Sequence, residues 1–291
     1  MSTTIIAELG INHNGHVDLA CQMASMAKTC GADVVKLQFR HVESCYTQEQ
    51  LDAQCKSPWG TTVDDKVRGR ELSYPNIDQF NAYCHSIDIP WFASCFDLES
   101  LDWIHKNYPG RPFNKVPSGM AIPDRIEYLE AVASQQRLTI ISTGLCESFD
   151  IIDVVARIFE LAYCPYVLNH CCAMYPATSD RLDMRVVATM RDRYLLDRQW
   201  RFCTAIGYSG HETGIMPSVL AVSLGATYIE RHFTLDRAMY GADQAASLEP
   251  EGLRRLVRDV KLVPKVLGHP TKSLQGDEKQ PIGKFVGRSQ D

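Results

Sequence analysis

The chain has 291 residues, a formal net charge of -5 and 45% hydrophobic residues. This length suits a single large α/β domain, and an acidic chain with no long basic run gives no electrostatic footprint for nucleic acid or an anionic membrane. The expected partners are therefore small molecules. The first residues carry no basic leader before an apolar core, and no later apolar run could span a bilayer, so we expect a cytoplasmic protein.

Short β-branched runs alternate with amphipathic runs along the chain, which is typical of repeated βα units around a parallel sheet. Eight such units are recognisable, and they predict a (β/α)8 TIM barrel as one domain over residues 1–268. The predicted strands are residues 4–11, 33–39, 90–96, 113–118, 138–143, 166–171, 204–209 and 227–233.

The first predicted helix covers residues 17–30 and is capped by Gly31, while the last begins at Pro250 and is disturbed at Pro264. Residues 40–74 are too long and too polar for an ordinary connection, so we expect a lid over a binding site. Residues 269–291 have turn chemistry without an apolar face and are expected to form an extended tail.

The cysteines, eleven in all, show neither metal-ligand spacing nor a disulfide framework, so we expect them to be reduced.

Charged and polar residues recur on one face of several predicted strands. Because strand side chains alternate, Glu8 shares a face with Asn12, Lys36 with Gln38, and Glu230 with His232. Inward polar groups near the C-terminal ends of barrel strands usually face a ligand. The alternative is that Glu8, Lys36 and Glu230 form buried ion pairs.

His211 and His232 each close one of the last two predicted strands. Two imidazoles at neighbouring strand ends can hold one divalent metal, with Glu8 or water completing the ligand set, and Mn²⁺, Mg²⁺, Co²⁺ or Zn²⁺ would suit it. The alternative is two structural histidines bonded to backbone.

Lysines and serines also fall at predicted strand ends, where their ammonium and hydroxyl donors could bind an anion such as a phosphate. The serines could instead cap the following helices. These residues are Lys36, Lys115, Ser94, Ser118, Ser142 and Ser209.

Together these motifs resemble the N-acetylneuraminate (sialic acid) synthase family, and the resemblance covers nearly the whole chain in order. The matching segments are IIAELGINHNG (5–15), GADVVKLQF (31–39), FASCFDLESLD (92–102), KVPSG (115–119), ISTG (141–144), HCCAMYP (170–176), GYSGHETG (207–214), GATYIERHFTLD (225–236) and GADQAASLEPEGL (241–253).

The resemblance implies condensation of phosphoenolpyruvate with an aldehyde sugar, N-acetylmannosamine or a related aldose, to a 2-keto-3-deoxy sugar acid with release of phosphate. It implies that His211 and His232 bind the metal, usually Mn²⁺, beside Glu8. Tyr175 and Asp243 then face the acceptor sugar, and either Glu8 or Asp243 orients the attacking water. The positions implied to hold phosphoenolpyruvate are Lys36, Ser94, Lys115, Ser118, Ser142 and Ser209, supported by Gln38.

Three features depart from the family pattern. Met120 stands where an acidic residue is common, Ala173 where asparagine is common, and Gly210 where aspartate often precedes the first histidine. The first two changes remove polar contacts, which favours a different acceptor sugar.

The chain stops near residues that resemble the linker to a C-terminal antifreeze-like domain, which in the family contributes an arginine to the partner subunit's sugar site. The protein could naturally lack this domain, receive it from a partner or have had it removed, and the sequence leaves these three alternatives open. The resemblance also implies a homodimer.

Two other functions remain open at the level of sequence: a metal-dependent sugar-phosphate lyase or isomerase on the same barrel, and a non-catalytic partner subunit of an active synthase.

Overall fold

The computed structural model describes residues 3–273. Its strands are β1 (Thr4–Gly10), β2 (Val34–Phe39), β3 (Gln54–Ser57), β4 (Gly60–Thr62), β5 (Trp91–Cys95), β6 (Asn114–Val116), β7 (Thr139–Ser142), β8 (Tyr166–Cys171), β9 (Cys203–Gly210) and β10 (Tyr228–His232). The α-helices are α1 (Val17–Cys30), α2 (Val42–Cys45), α3 (Gln48–Asp52), α4 (Val63–Arg70), α5 (Tyr74–Ser86), α6 (Leu98–Asn107), α7 (Ile126–Ser134), α8 (Phe149–Leu161), α9 (Arg185–Leu196), α10 (Met216–Ser223) and α11 (Pro250–Leu267). Short 3-10 turns occupy Ser118–Met120, Pro123–Arg125, Ser179–Arg181 and Gln244–Ala246.

Eight parallel strands close into a barrel in the order β1-β10-β9-β8-β7-β6-β5-β2. Each barrel strand is followed by at least one helix, so the predicted (β/α)8 architecture is confirmed. The predicted division at residue 268 stays a prediction, because residues 274–291 of the expected tail lie outside the described residues. None of the helices in residues 3–273 is long and apolar enough to cross a membrane.

A layer of apolar side chains fills the lower barrel interior. It consists of Ile6, Val34, Phe92, Ile140, Val167 and Ala205. The residue two positions further along each strand faces the same way, and on four of these strands it is Glu8, Lys36, Ser94 or Ser142. The apolar layer therefore forms the floor on which the polar residues lie, as expected for a packed barrel whose chemistry is at the C-terminal end.

The β1 strand ends earlier than its sequence pattern predicts. Gly10 has a φ of 54°, a left-handed conformation that glycine adopts without strain, and the chain turns there. The alternation predicted to place Asn12 beside Glu8 is therefore wrong. The Asn12 amide instead donates to the Phe233 carbonyl and to Ser247 Oγ, at 2.9 and 2.8 Å.

The first and last helices begin where the sequence predicts, at Val17 and Pro250. The α1 helix has the predicted bounds, and Gly31 caps it with a φ of 94°. The expected disturbance at Pro264 is wrong, because α11 continues through this residue to Leu267. The buried side chains of Val260 and Val263 hold this part of the helix against the barrel.

The expected lid contains regular structure. Between β2 and α5 the chain forms α2, α3, a two-stranded antiparallel sheet of β3 and β4, and α4. Capping boxes at Thr47 and Thr62 start α3 and α4. This segment has a small core of its own, formed by Val42, Leu51 and Val67.

Candidate functional site

A cavity of about 650 Å³ lies at the C-terminal ends of the barrel strands. The structure brings all the predicted site residues together in its lining: Glu8, Lys36, Gln38, Ser94, Lys115, Ser118, Ser142, Tyr175, Ser209, His211, His232 and Asp243. The expected lid contributes Arg40, Ser44, Cys45, Tyr46 and Arg70 to the same wall. Residues that are far apart in sequence thus form one continuous surface.

Two buried lysines contact one carboxylate in this cavity. Lys36 Nζ lies 3.6 Å from Glu230 Oε1, and Lys115 Nζ lies 3.2 Å from Glu230 Oε2. Lys36 Nζ also lies 2.5 Å from Glu8 Oε2. The ion pairs weighed as an alternative for Glu8, Lys36 and Glu230 are therefore present, and they line the cavity itself.

The same cluster sets the charge states of its members. Burial opposes ionisation of Glu230, but Lys115 and Lys36 outweigh it and lower the pKa of Glu230 to about 2. Burial also opposes the charge on Lys36, whose pKa is nevertheless raised by Glu230 and Glu8. The pKa of Lys115 is lowered, first by burial and also by Lys36, although Glu230 opposes the shift.

Hydroxyl groups surround the lysines. Lys36 Nζ donates to Ser94 Oγ at 2.8 Å, Lys115 Nζ donates to Ser142 Oγ, and Ser209 Oγ lies 3.4 Å from Glu230 Oε1. The capping alternative is wrong for Ser94 and Ser142, since α6 and α8 are capped by Asp97 and Ser148.

Ser118 is held at the cavity wall by neighbouring strand ends. Its hydroxyl accepts a hydrogen bond from Gly144 N at 3.2 Å and lies 3.1 Å from Cys171 Sγ. A Cβ on Gly144 would approach Ser118 Oγ to 2.9 Å and Cys171 Sγ to 2.5 Å. Glycine is therefore required for this close approach.

A chain of polar contacts joins the side chains of β1 and β2 to the lid. Gln38 Nε2 donates to Glu8 Oε1 at 3.1 Å, and Arg40 donates to Gln38 Oε1 at 2.8 Å. Arg40 also forms an ion pair with Glu71 at 3.0 Å. Sequence reasoning missed Arg40 and Glu71 as neighbours of the site. Alternation along Lys36, Gln38 and Arg40 would have revealed the first, but no local pattern indicates the second.

The two predicted metal ligands lie side by side. The rings of His211 and His232 have centroids 5.4 Å apart, and Tyr175 lies 4.0 Å from the His211 ring. His211 Nδ1 is 2.7 Å from the Cys172 carbonyl, which leaves its other ring nitrogen for a ligand. Burial and the neighbouring His232 lower the pKa of His211 to about 3, so its imidazole is neutral, as metal binding requires.

The residues at this end of the cavity fit a divalent metal with an incomplete protein ligand set. His232 Nδ1 is buried, has no hydrogen-bond partner among residues 3–273, and lies 3.8 Å from Asp243 Oδ2. In the same range, no three His, Cys, Asp or Glu side chains form a closed metal-ligand cluster. Two imidazoles would therefore leave coordination positions for water or substrate oxygens, as in catalytic rather than structural metal sites.

Less polar residues also line the cavity. Met120 is buried, and it lines the wall together with Ala173 and Leu145. Two of the three departures from the family pattern, Met120 and Ala173, therefore line the cavity, where they bear on the choice of acceptor, whereas Gly210 is not part of its lining.

Comparison with known proteins gives matches along nearly the whole chain. The model of the NeuB family matches residues 23–272. The chain is 37% identical over 287 residues to the N-acetylneuraminate-9-phosphate synthase of Homo sapiens, with 97% of this chain and 77% of that protein covered. It is 33% identical over 296 residues to the N,N'-diacetyllegionaminic acid synthase of Legionella pneumophila, with 99% and 80% covered.

Among solved structures, the N-acetylneuraminic acid (sialic acid) synthetase of Leptospira borgpetersenii in complex with citrate has a TM-score of 0.82 and 28% sequence identity to this chain. The match covers 99% of this chain and 94% of that one. The match thus spans every barrel strand.

Proposed function

The chain belongs to the NeuB family of phosphoenolpyruvate-dependent condensing enzymes, and we propose that it joins phosphoenolpyruvate to an aldehyde sugar, N-acetylmannosamine or a related aldose. The products are a 2-keto-3-deoxy sugar acid and phosphate. One observation carries the proposal: a single cavity combines two buried lysines and strand-end hydroxyls with a pair of adjacent histidines.

We assign the lysine side of the cavity to phosphoenolpyruvate. Lys36 and Lys115 supply fixed positive charge, and Ser94, Ser118 and Ser142 supply short donors for phosphate or carboxylate oxygens. Ser209 and Gln38 complete this side of the wall. Binding here would align C3 of phosphoenolpyruvate with the acceptor, and such alignment lowers the barrier by removing translational and rotational freedom before the reaction.

We assign His211 and His232 to a divalent metal, and we propose Mn²⁺ because the sialic acid synthase family that the chain resembles usually uses it. Imidazole nitrogens combined with oxygen ligands from solvent or substrate are compatible with Mn²⁺, as they are with Mg²⁺, Co²⁺ and Zn²⁺. When bound, the metal would act as a Lewis acid toward the aldehyde oxygen. Tyr175 and Asp243 lie beside the histidines and would position the acceptor.

The bond changes follow from the two substrates. The C3 carbon of phosphoenolpyruvate forms a bond to the aldehyde carbon, whose oxygen gains a proton and becomes a hydroxyl. Water adds at C2, and loss of phosphate from that carbon leaves the ketone. Glu8 is already bonded to Lys36 and Gln38, whereas Asp243 is not in contact with a lysine or arginine of the described chain. This difference favours Asp243 over Glu8 for orienting the water.

The test is turnover of the metal-loaded protein with phosphoenolpyruvate labelled with oxygen-18 in the bridging position. We expect phosphate release that depends on an aldose acceptor, a product with the mass of the condensed acid, and the label in phosphate. Label in the ketone would contradict water addition at C2. An absence of phosphate release from every aldose, with phosphoenolpyruvate shown to bind, would contradict the function.

The remaining sequence predictions stay proposals. A homodimer is expected from the family, and sedimentation of the purified protein measures it directly. A cytoplasmic location likewise stays a prediction, and fractionation of the source cells tests it.

A further inference from the structure

Three adjacent barrel strands meet at one hydroxyl group, that of Ser118. Ser118 follows β6, Gly144 follows β7 and Cys171 ends β8. Ser118 Oγ lies 3.1 Å from Cys171 Sγ and 3.2 Å from Gly144 N. The contact between the hydroxyl and the thiol thus crosses the end of β7, which is possible because residue 144 has no side chain to separate the two.

The two side chains differ in their exposure to the cavity. Ser118 lines it, whereas Cys171 is only 5% exposed and is not part of the lining. Strand alternation directs Cys171 toward the barrel interior, as it does Val167 of the apolar floor. A ligand in the cavity would therefore contact the Ser118 hydroxyl, and Cys171 would affect that ligand through Ser118.

The Cys171 thiol carries its proton. Burial raises the pKa of Cys171, although the Ser118 hydroxyl and Lys115 oppose the shift. Cys171 forms no disulfide, and Ser118 Oγ is the side-chain partner of its sulfur within residues 3–273. A neutral thiol is both a weak donor and a weak acceptor, so the proton of this contact can lie on either side of it.

The hydrogen-bonding capacity of Ser118 decides what each arrangement means for a ligand. A serine hydroxyl has two lone pairs and one proton, and Gly144 N–H donates to one of the lone pairs. If the Cys171 thiol donates to the other, the hydroxyl proton is left for the cavity. If the hydroxyl donates to sulfur, it is not. A bound phosphate or carboxylate favours the first arrangement, because a hydrogen bond to an ionised oxygen is roughly twice as strong as a neutral one.

The other serines on the lysine side of the cavity have the same arrangement with lysines as donors. Lys36 donates to Ser94 Oγ and Lys115 donates to Ser142 Oγ, in each case from the adjacent strand. No lysine donates to Ser118 in the described part of the chain, and a thiol takes that place. Each of these three hydroxyl groups therefore has a side-chain donor beside it.

We infer that Cys171 is a positioning residue: its thiol donates to Ser118 Oγ and thereby directs the Ser118 hydroxyl proton toward the anion bound on the lysine side of the cavity. The inference rests on the proposed function for the identity of that anion, phosphoenolpyruvate. It gives a role in substrate binding to a residue that does not line the cavity.

The experiment measures binding of phosphoenolpyruvate to the Mn²⁺-loaded protein by direct titration. Cys171→Ala removes the donor, so the dissociation constant should rise roughly three- to tenfold, the range for one net hydrogen bond. Cys171→Ser keeps a donor and should restore most of the affinity. A packing role predicts the reverse order, because serine also lacks the sulfur and adds a buried hydroxyl group. That order, or an unchanged affinity in Cys171→Ala, would overturn the inference.

A double-mutant cycle isolates the contact with Ser118. Ser118→Ala should weaken binding, and Cys171→Ala should then cause no further loss, because the thiol has lost its acceptor. Cys84→Ala is the matched control: this cysteine is fully buried on α5, outside the cavity, and its loss should leave the affinity unchanged. Circular dichroism checks that each variant is folded. Additive losses at positions 118 and 171 would contradict the coupling.

The S–H stretching band tests the direction of the hydrogen bond. In the phosphoenolpyruvate complex it is identified as the infrared band that is lost in Cys171→Ala. A thiol that donates a hydrogen bond absorbs at lower frequency than a free thiol, so Ser118→Ala should move this band to higher frequency. An unchanged band would show that Cys171 does not donate to Ser118, and the inference would fail.

Turnover separates this inference from the proposed function. Phosphate release with an aldose, together with an unchanged affinity for phosphoenolpyruvate in Cys171→Ala, would support the function and reject the positioning role. A loss of affinity in Cys171→Ala that Cys171→Ser restores, without consumption of phosphoenolpyruvate for any aldose, would support the positioning role and reject the function.

Discussion

Glu230 and His232 lie two residues apart on β10 and face the same cavity, yet their neighbours differ. Glu230 contacts Lys36 and Lys115, whereas His232 lies beside His211 and Asp243. Two residues along one strand thus separate the lysine side of the cavity, which we assign to an anion, from the histidine side, which we assign to a metal. The two substrates of the proposed reaction would meet across this short distance.

The two buried lysines should differ in their contribution to stability. Lys36→Met removes the cation shared by Glu8 and Glu230, so it should lower the free energy of unfolding by roughly 3–5 kcal/mol. Lys115→Met leaves Glu230 paired with Lys36 and should cost less. Both variants should bind phosphoenolpyruvate at least about tenfold more weakly. Urea unfolding and direct titration measure these effects, and equal stability losses would contradict the shared ion pair.

Replacement of either candidate metal ligand should remove metal without unfolding the protein. His211→Ala and His232→Ala should each lose the proposed Mn²⁺ and phosphate release, because His211 and His232 are the only histidines that line the cavity within the described residues. His16→Ala alters an exposed histidine outside the cavity and is the control. Metal analysis after dialysis and circular dichroism provide the readouts. Unaltered metal content in an unfolded His232 variant would refute the assignment.

Gly144 should be required for phosphoenolpyruvate binding through Ser118. In Gly144→Ala the added methyl group would displace the Ser118 hydroxyl and the Cys171 thiol, so KM for phosphoenolpyruvate should rise by roughly tenfold. Gly110→Ala is a matched control, because no atom lies within 4 Å of a Cβ at that position. Steady-state kinetics at saturating acceptor distinguish the two. An unchanged KM in Gly144→Ala would show that Ser118 is not a substrate contact.

Polar residues at positions 120 and 173 should change the choice of acceptor. Met120→Glu and Ala173→Asn introduce the residue types common in the sialic acid synthase family that the chain resembles. Each should raise kcat/KM for N-acetylmannosamine relative to another aldose that the unaltered protein turns over. The readout is the ratio of kcat/KM for the two acceptors, measured in one competition reaction. Identical ratios in the native and doubly substituted proteins would show that these residues do not contact the sugar.

Glu71 should make stability depend on pH. Burial raises the pKa of Glu71 from 4.5 to about 7, although Arg40 and Arg70 oppose the shift. Between these values the folded protein retains a proton that the unfolded chain has lost, so stability should fall as pH rises through this window and level off above about 7. The loss is on the order of 3 kcal/mol.

Urea unfolding of the native protein and Glu71→Gln at several pH values tests this dependence. Glu71→Gln also removes the partner of Arg40, so the change of the stability difference with pH is compared, not its absolute value. A difference that stays constant between about pH 5 and 7.5 would exclude Glu71 as the titrating group.

The sequence by itself determined the barrel and most of its site. Strand alternation placed Lys36 with Gln38 and Glu230 with His232, and both pairs line the cavity. These inferences succeeded because a barrel strand has a period of two, and its inward residues can only face the common interior.

Only the tertiary structure decided what depends on distant parts of the chain. The turn at Gly10 removed Asn12 from the cavity, the ion pair of Arg40 and Glu71 joined the lid to the barrel, and Arg70 was placed on the cavity wall beside Tyr46. Local sequence patterns do not encode these relationships. They arise where loops from separate βα units pack against one another, and that packing is fixed only when the barrel closes.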